Sequence, residues 1–263
     1  MKKFVATGIQ MDVKPGDISF NLKTAINLTE KALKYTPNII IFPEMFATGF
    51  AYPYINKIAK DFFHELASFL INLSYKTNAY VVGGSVPELF EGRLYNTTII
   101  TSPDRKVLGC YRKIHPFTLT DENKYFSGGD KISVIETPLA KIGINICYDI
   151  RFPEIARKLT VEGAEVLIVP AQFPNPRLHH WQALLKSRAI ENQLYVVGIN
   201  RVGGRNPDYF GHSMAIDPYG DILDELDDKE GILICEMDLA RIEEVRKAMP
   251  VLLERRPEVY GKQ

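Results

Sequence analysis

The order of predicted strands and helices repeats once along this chain, and this repeat restricts the fold more than any other feature of the sequence. In the first half, strand, helix, strand, helix, strand and hairpin fall at residues 4–11, 22–35, 38–44, 62–76, 80–82 and 95–112. In the second half the same order falls at residues 142–147, 153–162, 165–170, 181–192, 194–198 and 212–226. Alternation of helices with almost wholly apolar strands is typical of sheets covered by helices. We therefore predict an α/β fold of two pseudo-symmetric halves, with two sheets packed face to face and helices outside.

The two halves are expected to form one domain, over residues 1–263. No linker rich in Gly, Ser or Pro separates them, and 263 residues are within the range of one large α/β unit. The tail, about residues 242–263, combines a helical pattern with Met249, Pro250 and a charged stretch at 254–257. Because this tail has little apolar surface to bury by itself, we expect it to pack on its own domain or on a partner subunit.

The charge balance gives no reason to expect a polyanionic partner. Lys plus Arg and Asp plus Glu both number 32, so no bulk field favours nucleic acid or an anionic membrane surface. No apolar stretch is long enough to span a bilayer, and the N-terminal apolar run is interrupted at Gln10 and Asp12. The three cysteines are too few for a disulfide framework. We expect an unprocessed cytoplasmic protein with neither nucleic-acid nor membrane partners.

Cys147 is the first candidate for chemistry. It closes the apolar run that begins at Lys141, and Pro153 then begins a helical pattern, so the thiol is predicted at a strand-to-helix turn. Unpaired N–H groups at such a turn would stabilise a thiolate and lower its pKa. A lone cysteine at the end of an apolar strand is more often a small core residue, which is also how we interpret Cys110 and Cys235.

Glu44 is the second candidate, and the internal repeat is what exposes it. Where the second half has a strand ending in Pro170-Ala171, the first half has Pro43-Glu44, so a carboxylate takes the place of a methyl group. Burial would raise the pKa of this carboxyl towards neutrality, as a general acid/base requires, unless Glu44 merely pairs with an arginine. Lys113 ends the hairpin strand, where a basic residue is usually solvated. All three candidates follow strands, and strand ends are where sites of layered α/β folds assemble.

Three separated segments carry a resemblance to a known family. Phe42–Phe46, Tyr111–His115 and Asn145–Glu154 resemble, in order and surroundings, the three signatures of the nitrilase superfamily of carbon–nitrogen hydrolases. The resemblance extends from Phe4 to the tail near Tyr260. It implies a four-layer αββα sandwich that pairs into a homodimer and acts on a small-molecule amide.

The resemblance also implies roles for individual residues. The Glu-Lys-Cys triad of the family falls on Glu44, Lys113 and Cys147, and its second glutamate falls on Glu122. Glu44 would take the thiol proton, Cys147 would attack the amide carbon, and Lys113 with the Tyr148 N–H would hold the oxyanion before a thioester forms. Glu122 would position Lys113 or the hydrolytic water; the alternative is an acid on a surface loop.

Within the superfamily, Cys147–Glu154 is most similar to the ω-amidase branch, which hydrolyses the terminal amide of 2-oxo acids such as 2-oxoglutaramate. The resemblance implies that Arg151 binds the substrate carboxylate, a task that suits its bidentate fork, and that Phe173 lines the pocket. Arg177 would either add a second carboxylate contact or face solvent. The loop at 172–180 is shorter and richer in Pro than in the animal ω-amidases, which leaves the substrate open. Arg151 bonded to Asp149 or Glu154 is the structural alternative.

Other functions are weighed against this one. A papain-like Cys/His enzyme has four histidines to choose from, but no local signature favours any of them: His115, His179, His180 and His212. Adjacent histidines diverge and no carboxylate has ligand spacing, so neither a metal nor another cofactor is expected; the glycine pairs match no nucleotide-binding motif. An N-carbamoyl amidohydrolase, a nitrilase and a non-catalytic binding protein on this scaffold stay open as alternatives.

Overall fold

The computed structural model describes residues 3–205 and 207–261. The helices are α1 (Ile18–Ala32), α2 (Tyr52–Thr77), α3 (Glu122–Tyr125), α4 (Pro153–Val161), α5 (Leu178–Asn192), α6 (Ala240–Ala248) and α7 (Pro257–Tyr260). The strands of the first half are β1 (Lys3–Gln10), β2 (Ile39–Ile41), β3 (Tyr80–Val82), β4 (Val86–Phe90), β5 (Arg93–Thr101) and β6 (Val107–Arg112). Those of the second are β7 (Ile135–Glu136), β8 (Lys141–Ile144), β9 (Val166–Pro170), β10 (Tyr195–Ile199), β11 (Val202–Gly203), β12 (Tyr209–Phe210), β13 (Met214–Ile216), β14 (Ile222–Glu225) and β15 (Gly231–Asp238).

Six strands of the first large sheet correspond to the six strands of the second, and β4 is the additional strand of the first. The first runs β15-β1-β2-β3-β5, with β4 beside β5 on the β3 side and β6 on its other side. The second runs β7-β8-β9-β10-β13-β14. In both sheets three parallel strands are followed by an antiparallel hairpin, and an antiparallel strand, β15 or β7, lies at the other edge. The predicted pseudo-symmetry of the two halves is confirmed.

Alternate residues of β2 define the layers. Ile39 and Ile41 belong to the core shared with the second sheet, whereas Ile40 packs among residues of α1 and α2. This follows from the period of two in a strand, since both faces of a covered sheet are buried. The sheets approach so closely that a Cβ added at Gly8 would collide with the Ile199 side chain of β10. The fold is the four-layer αββα sandwich that the sequence predicted.

Several local predictions were wrong. Helix α2 begins at Tyr52, not at Phe62, because Pro53 lies in its first turn, where a missing N–H costs nothing. Strands β4 and β15 were not predicted. The predicted helix of the tail is present, by contrast, since α6 ends at Ala248, directly before Met249 and Pro250. Cys110 is exposed on the edge strand β6, not a core thiol, whereas Cys235 is buried.

The first part of the tail contacts its own chain. Gln193, just after α5, donates from Nε2 to the Met249 carbonyl at 2.7 Å. Beyond this contact Leu253 is 88% exposed, and packing against a partner subunit stays a prediction for this segment. Among the helices of the described ranges, none is long and apolar enough to cross a membrane.

Candidate active site

Three strand ends bring the predicted residues together. Glu44 follows β2 by three residues, Lys113 follows β6 directly, and Cys147 follows β8 by three residues. The first two come from one sheet and the third from the other. With Glu122 of α3, all of them line one cavity of about 700 Å³. The site therefore lies where the ends of the two facing sheets meet, as the positions of the motifs after strands predicted.

Glu44 is fully buried and held by three donors. Its Oε1 accepts from Lys113 Nζ at 2.7 Å and from Asn96 Nδ2 at 2.9 Å, and its Oε2 accepts from the Gln172 N–H at 2.9 Å. Burial raises the pKa of Glu44, although the Lys113 charge opposes that rise. The raised pKa predicted for this carboxyl is confirmed. Because Oε1 already has two donors and Oε2 only one, Oε2 is the oxygen with room for a further proton.

Lys113 lies between two carboxylates. Its Nζ donates to Glu122 at 3.0 Å and 2.8 Å, and Glu122 Oε2 also accepts from the Phe117 N–H at 2.7 Å. Burial opposes the charged form, but Glu122 and Glu44 outweigh it and raise the pKa of Lys113 well above its ordinary value. Glu122 is only 1% exposed, so the alternative of a surface loop acid is wrong. The ammonium is thus a fixed positive charge inside the cavity.

Cys147 has an unusual backbone conformation. Its φ is 48°, the left-handed region that L-residues rarely occupy, and it begins a 3₁₀ helix that ends at Arg151. The thiol donates to the Gln172 carbonyl, with Sγ 3.7 Å from the oxygen. Such outliers persist where the surroundings over-determine them, and they cluster at functional sites.

The lowered pKa predicted for Cys147 was wrong. Burial, and after it the charge of Glu44, raise the pKa of this thiol well above its ordinary value, even though Lys113 acts in the opposite direction. The thiol does lie at the predicted strand-to-helix turn, with α4 beginning at Pro153, but the sequence-based argument left out the effect of its burial. The resting thiol is therefore neutral, and it must lose its proton to a neighbouring group as the reaction proceeds.

The start of the 3₁₀ helix also supplies a backbone donor. Across residues 3–205 and 207–261, no protein acceptor takes the Tyr148 N–H, as expected of the first donors of a helix. The site thus brings together four groups: a neutral thiol, a carboxylate with raised pKa, a buried ammonium and the Tyr148 N–H. This set can pass a proton from sulfur to oxygen and can stabilise a negative charge that develops on a substrate oxygen.

Two residues that hold Glu44 were not predicted. Asn96 donates from Nδ2 to Glu122 Oε1 at 3.0 Å as well as to Glu44. Gln172 donates two hydrogen bonds to Glu44. Its backbone N–H donates to the carboxylate, and its Nε2 donates to the Glu44 carbonyl at 2.8 Å. The repeat contained a signal for Gln172, because it directly follows Ala171, the counterpart of Glu44. Asn96 has no such signal, since it lies inside strand β5.

A second, smaller pocket adjoins the nucleophile. It has a volume of about 20 Å³, and Cys147 and Gln172 line both this pocket and the large cavity. Arg151, Phe173 and Arg177 are among its walls. The structure thus places all three residues predicted to bind substrate beside Cys147. We call it the arginine pocket.

Neither arginine of the arginine pocket is neutralised by a carboxylate in the described part of the chain. Arg151 Nη2 lies 3.2 Å from His180 Nδ1, and its guanidinium lies over the Phe173 ring at 5.2 Å. Burial, followed by the charges of His179 and Arg151, lowers the pKa of His180, so the ring is neutral and accepts. The alternative in which Arg151 bonds to Asp149 or Glu154 is wrong. Within the described residues, the Arg177 guanidinium donates one long hydrogen bond, of 3.4 Å, to the Asn175 carbonyl.

A papain-like pairing does not form. None of the histidines is among the described residues that line the large cavity. His115 Nδ1 lies 2.9 Å from Asp149, and His212 Nδ1 lies 3.0 Å from Glu225. The charged groups that act most strongly on Cys147 in the cavity are Glu44 and Lys113.

The αββα sandwich with a buried Glu-Lys-Cys set at its sheet ends defines a hydrolase of the nitrilase class. A family model described as "carbon-nitrogen hydrolase" matches residues 5–247 of the chain. The chain belongs to this carbon–nitrogen hydrolase family, within the nitrilase superfamily.

Three relatives cover almost the whole chain. The 2-oxoglutaramate amidase of Bacillus subtilis is 38% identical over 98% of this chain and 100% of its own. The omega-amidase NIT2 of Mus musculus is 34% identical over 92% of this chain and 91% of its own. The crystal structure of Saccharomyces cerevisiae Nit3, a member of branch 10 of the nitrilase superfamily, has 32% identity and a TM-score of 0.86, and each chain covers 97% of the other. The predicted resemblance to the nitrilase superfamily and to its ω-amidase branch is confirmed.

Proposed function

We propose that this protein is a cysteine-dependent amidase that hydrolyses the terminal amide of a small carboxylate-bearing substrate such as 2-oxoglutaramate. The observation that carries the proposal is the arginine pocket beside Cys147, where neither guanidinium group has a carboxylate partner among the described residues. Two guanidinium groups that line one small pocket together create a positive potential there, which favours an anionic ligand group. The names of the two amidase relatives agree with an acid amide.

The first half-reaction makes the thioester. Glu44 Oε2 accepts the proton of Cys147, and Sγ attacks the amide carbon as the thiol ionises. The substrate oxygen becomes an oxyanion between Lys113 Nζ and the Tyr148 N–H. The tetrahedral intermediate collapses, the C–N bond breaks, and Glu44 returns its proton to the departing nitrogen, which leaves as ammonia.

The second half-reaction restores the enzyme. Glu44 removes a proton from water, the hydroxide attacks the thioester carbon, and the same two donors hold the new oxyanion. The C–S bond then breaks, and Cys147 recovers a proton from Glu44 as the acid product leaves. The raised pKa of Glu44 suits a group that must alternate between base and acid. Glu122 would keep Lys113 charged and directed at the oxyanion through its two hydrogen bonds.

The acid end of the substrate is assigned to the arginine pocket. At about 20 Å³ it admits one small end group, which fits a carboxylate better than a bulky chain. Phe173 is 3% exposed and lies below the Arg151 guanidinium, so it would fix the plane of that fork. Arg177 is the second cation of this pocket. Pairing into a homodimer and a cytoplasmic location stay predictions from the sequence.

The first prediction concerns the class of substrate. We expect the purified protein to release ammonia from 2-oxoglutaramate, with one ammonia for each 2-oxoglutarate formed, in a coupled glutamate dehydrogenase assay. An N-carbamoyl amino acid, which would yield carbon dioxide as well, and a nitrile of the same acid provide the comparison. Preference for either of these by kcat/KM would replace the amidase with a carbamoyl amidohydrolase or a nitrilase. If the protein turned over none of these three substrates, a non-catalytic binding protein would be the remaining alternative.

The second prediction concerns Arg151. Arg151→Lys keeps the charge but loses the planar fork, and a charge-assisted bidentate bond is worth about 1.5–3 kcal/mol. We expect KM for 2-oxoglutaramate to rise by about 10–100-fold, a range that corresponds to that energy, while kcat changes little. KM for a neutral short-chain amide should stay within about twofold, because such a substrate places no anion in the pocket. Equal effects on both substrates would remove Arg151 from carboxylate binding.

A further inference from the structure

Asp149 joins the two halves of the molecule immediately behind the site. This side chain is fully buried, yet it accepts four hydrogen bonds. Its Oδ1 accepts from the His115 N–H at 3.0 Å and lies 2.9 Å from His115 Nδ1; its Oδ2 accepts from the Tyr111 hydroxyl at 2.8 Å and from the Ile146 N–H at 3.1 Å. Two of these donor residues are in the first half of the chain, and Ile146 is in the second.

The four bonds connect the two structural elements whose relative position matters for the reaction. Tyr111 and His115 lie two residues before and two residues after Lys113. Ile146 directly precedes Cys147, and the Asp149 N–H donates back to the Ile146 carbonyl at 3.0 Å, so the turn that carries the thiol is closed on both sides. Asp149 therefore fixes the backbone that carries the nucleophile against the backbone that carries the ammonium.

The same network explains how the conformation of Cys147 persists. A residue with positive φ costs about 1–3 kcal/mol, and the surrounding structure must over-determine it. Here the restraint is the closed turn around Cys147, whose φ is 48°. The Asp149 carboxylate of this turn is itself held from the opposite sheet by the Tyr111 hydroxyl. His115 is fixed in turn, since its ring stacks on Phe152 with centroids 3.5 Å apart. Without the Asp149 carboxylate, fewer hydrogen bonds would hold the turn in this conformation.

We propose that Asp149 is a positioning residue for catalysis, which sets the Cys147 thiol and the Tyr148 N–H relative to Lys113. It is not among the described residues that line either pocket, so it acts through these groups and not on the substrate. This inference rests on the proposed function, because it takes Cys147 as the nucleophile. A displacement of about 1 Å at a reacting group can cost roughly a hundredfold in rate.

The test uses Asp149→Asn and a matched variant elsewhere. Asparagine keeps the shape, but its amide NH₂ replaces one acceptor oxygen with a donor, so the backbone N–H of either Ile146 or His115 loses its acceptor. Asp217→Asn is the control, because Asp217 is also buried and accepts three backbone N–H groups, in the β13–β14 turn outside the site. Both variants should lower the melting temperature.

The two variants should differ in their kinetics. For Asp149→Asn we expect kcat on 2-oxoglutaramate to fall by about a hundredfold with KM within about twofold. Alkylation of Cys147 by iodoacetamide, followed by peptide mass spectrometry, should slow at least fivefold relative to the exposed Cys110 in the same sample. Asp217→Asn should change neither rate. A kcat equal to that of Asp217→Asn, a rise in KM alone, or faster alkylation of Cys147 through an opened turn would each overturn the proposal.

A milder variant covers the case in which Asp149→Asn does not fold. Tyr111→Phe removes one of the four bonds, and we expect kcat to fall by several-fold at unchanged KM; an unchanged kcat would then contradict the inference. Failure of the proposed function has a different signature. In that case the wild-type protein would release no ammonia from 2-oxoglutaramate, or Cys147→Ala would keep the wild-type rate, whatever the Asp149 variants do.

Discussion

Cys147→Ala is expected to lose at least about 10⁴-fold in the rate of ammonia release from 2-oxoglutaramate, because removal of a covalent nucleophile leaves only binding and oxyanion stabilisation. KM, where it can still be measured, should change little. The overall fold should persist, since alanine at this buried position removes one sulfur atom and no buried charge. Ammonia release would be measured over hours at high enzyme concentration to quantify the residual rate.

Two controls make this result specific. Cys110→Ala removes the exposed thiol of β6 and should retain full activity. Wild-type enzyme quenched with acid during turnover should carry a covalent adduct of the mass of the acyl group on the peptide containing Cys147, and the alanine variant should carry none. Activity retained in Cys147→Ala, or an adduct on Cys110, would remove Cys147 from its role as nucleophile.

The internal repeat made most of the fold predictable. Hydrophobic periodicity identified the parallel strands and their helices in both halves, since these segments pack locally and continue for several residues. Strand β15 was not predicted, although it pairs with β1 along its whole length, from Lys3 with Asp238 to Gln10 with Gly231. That pairing joins the two ends of the chain, and no local pattern encodes a contact between segments so far apart.

The candidate site was predictable where a residue broke a local rule. Glu44 was such a case, because a carboxylate at the end of a buried strand has to be paired or has to have a raised pKa. Asn96 and Gln172 broke no rule, since polar residues are ordinary in strands and loops, yet both hold Glu44. The pKa of Cys147 was predicted in the wrong direction because its depth of burial depends on both sheets together, and the sequence around the thiol contains no measure of that depth.

The ion cluster around Lys113 carries the other large prediction. Lys113→Met keeps most of the volume of the side chain but leaves the Glu44 and Glu122 carboxylates buried without their shared cation. Removal of one partner from a buried ion pair typically costs about 3–5 kcal/mol. We therefore expect a loss of this size in the free energy of unfolding at pH 7.5, measured by urea titration, together with a rate reduced by about 10²–10³-fold from the lost oxyanion partner.

Exposed ion pairs provide the control for this variant. Lys106 pairs with Asp104 at the β5–β6 turn, and its side chain is 69% exposed. Because solvent screens an exposed ion pair, Lys106→Met should be nearly neutral in both stability and rate. A loss in Lys113→Met no larger than that of the control would mean that the buried cluster is not held by this charge.

The pH dependence of the destabilisation identifies its cause. Burial already raises the pKa of Glu44 and the Lys113 charge lowers it, so removal of Lys113 raises that pKa further. A carboxyl whose folded pKa exceeds its unfolded value of about 4.3 stabilises the fold at low pH and loses that contribution as pH rises through the folded pKa. The stability difference between wild type and Lys113→Met should therefore be small near pH 4 and grow towards neutral pH. Adding Glu44→Gln to Lys113→Met should reduce this growth, because only one of the two uncompensated carboxylates, Glu122, then remains, while the activity stays lost. A pH-independent difference would assign the loss to packing.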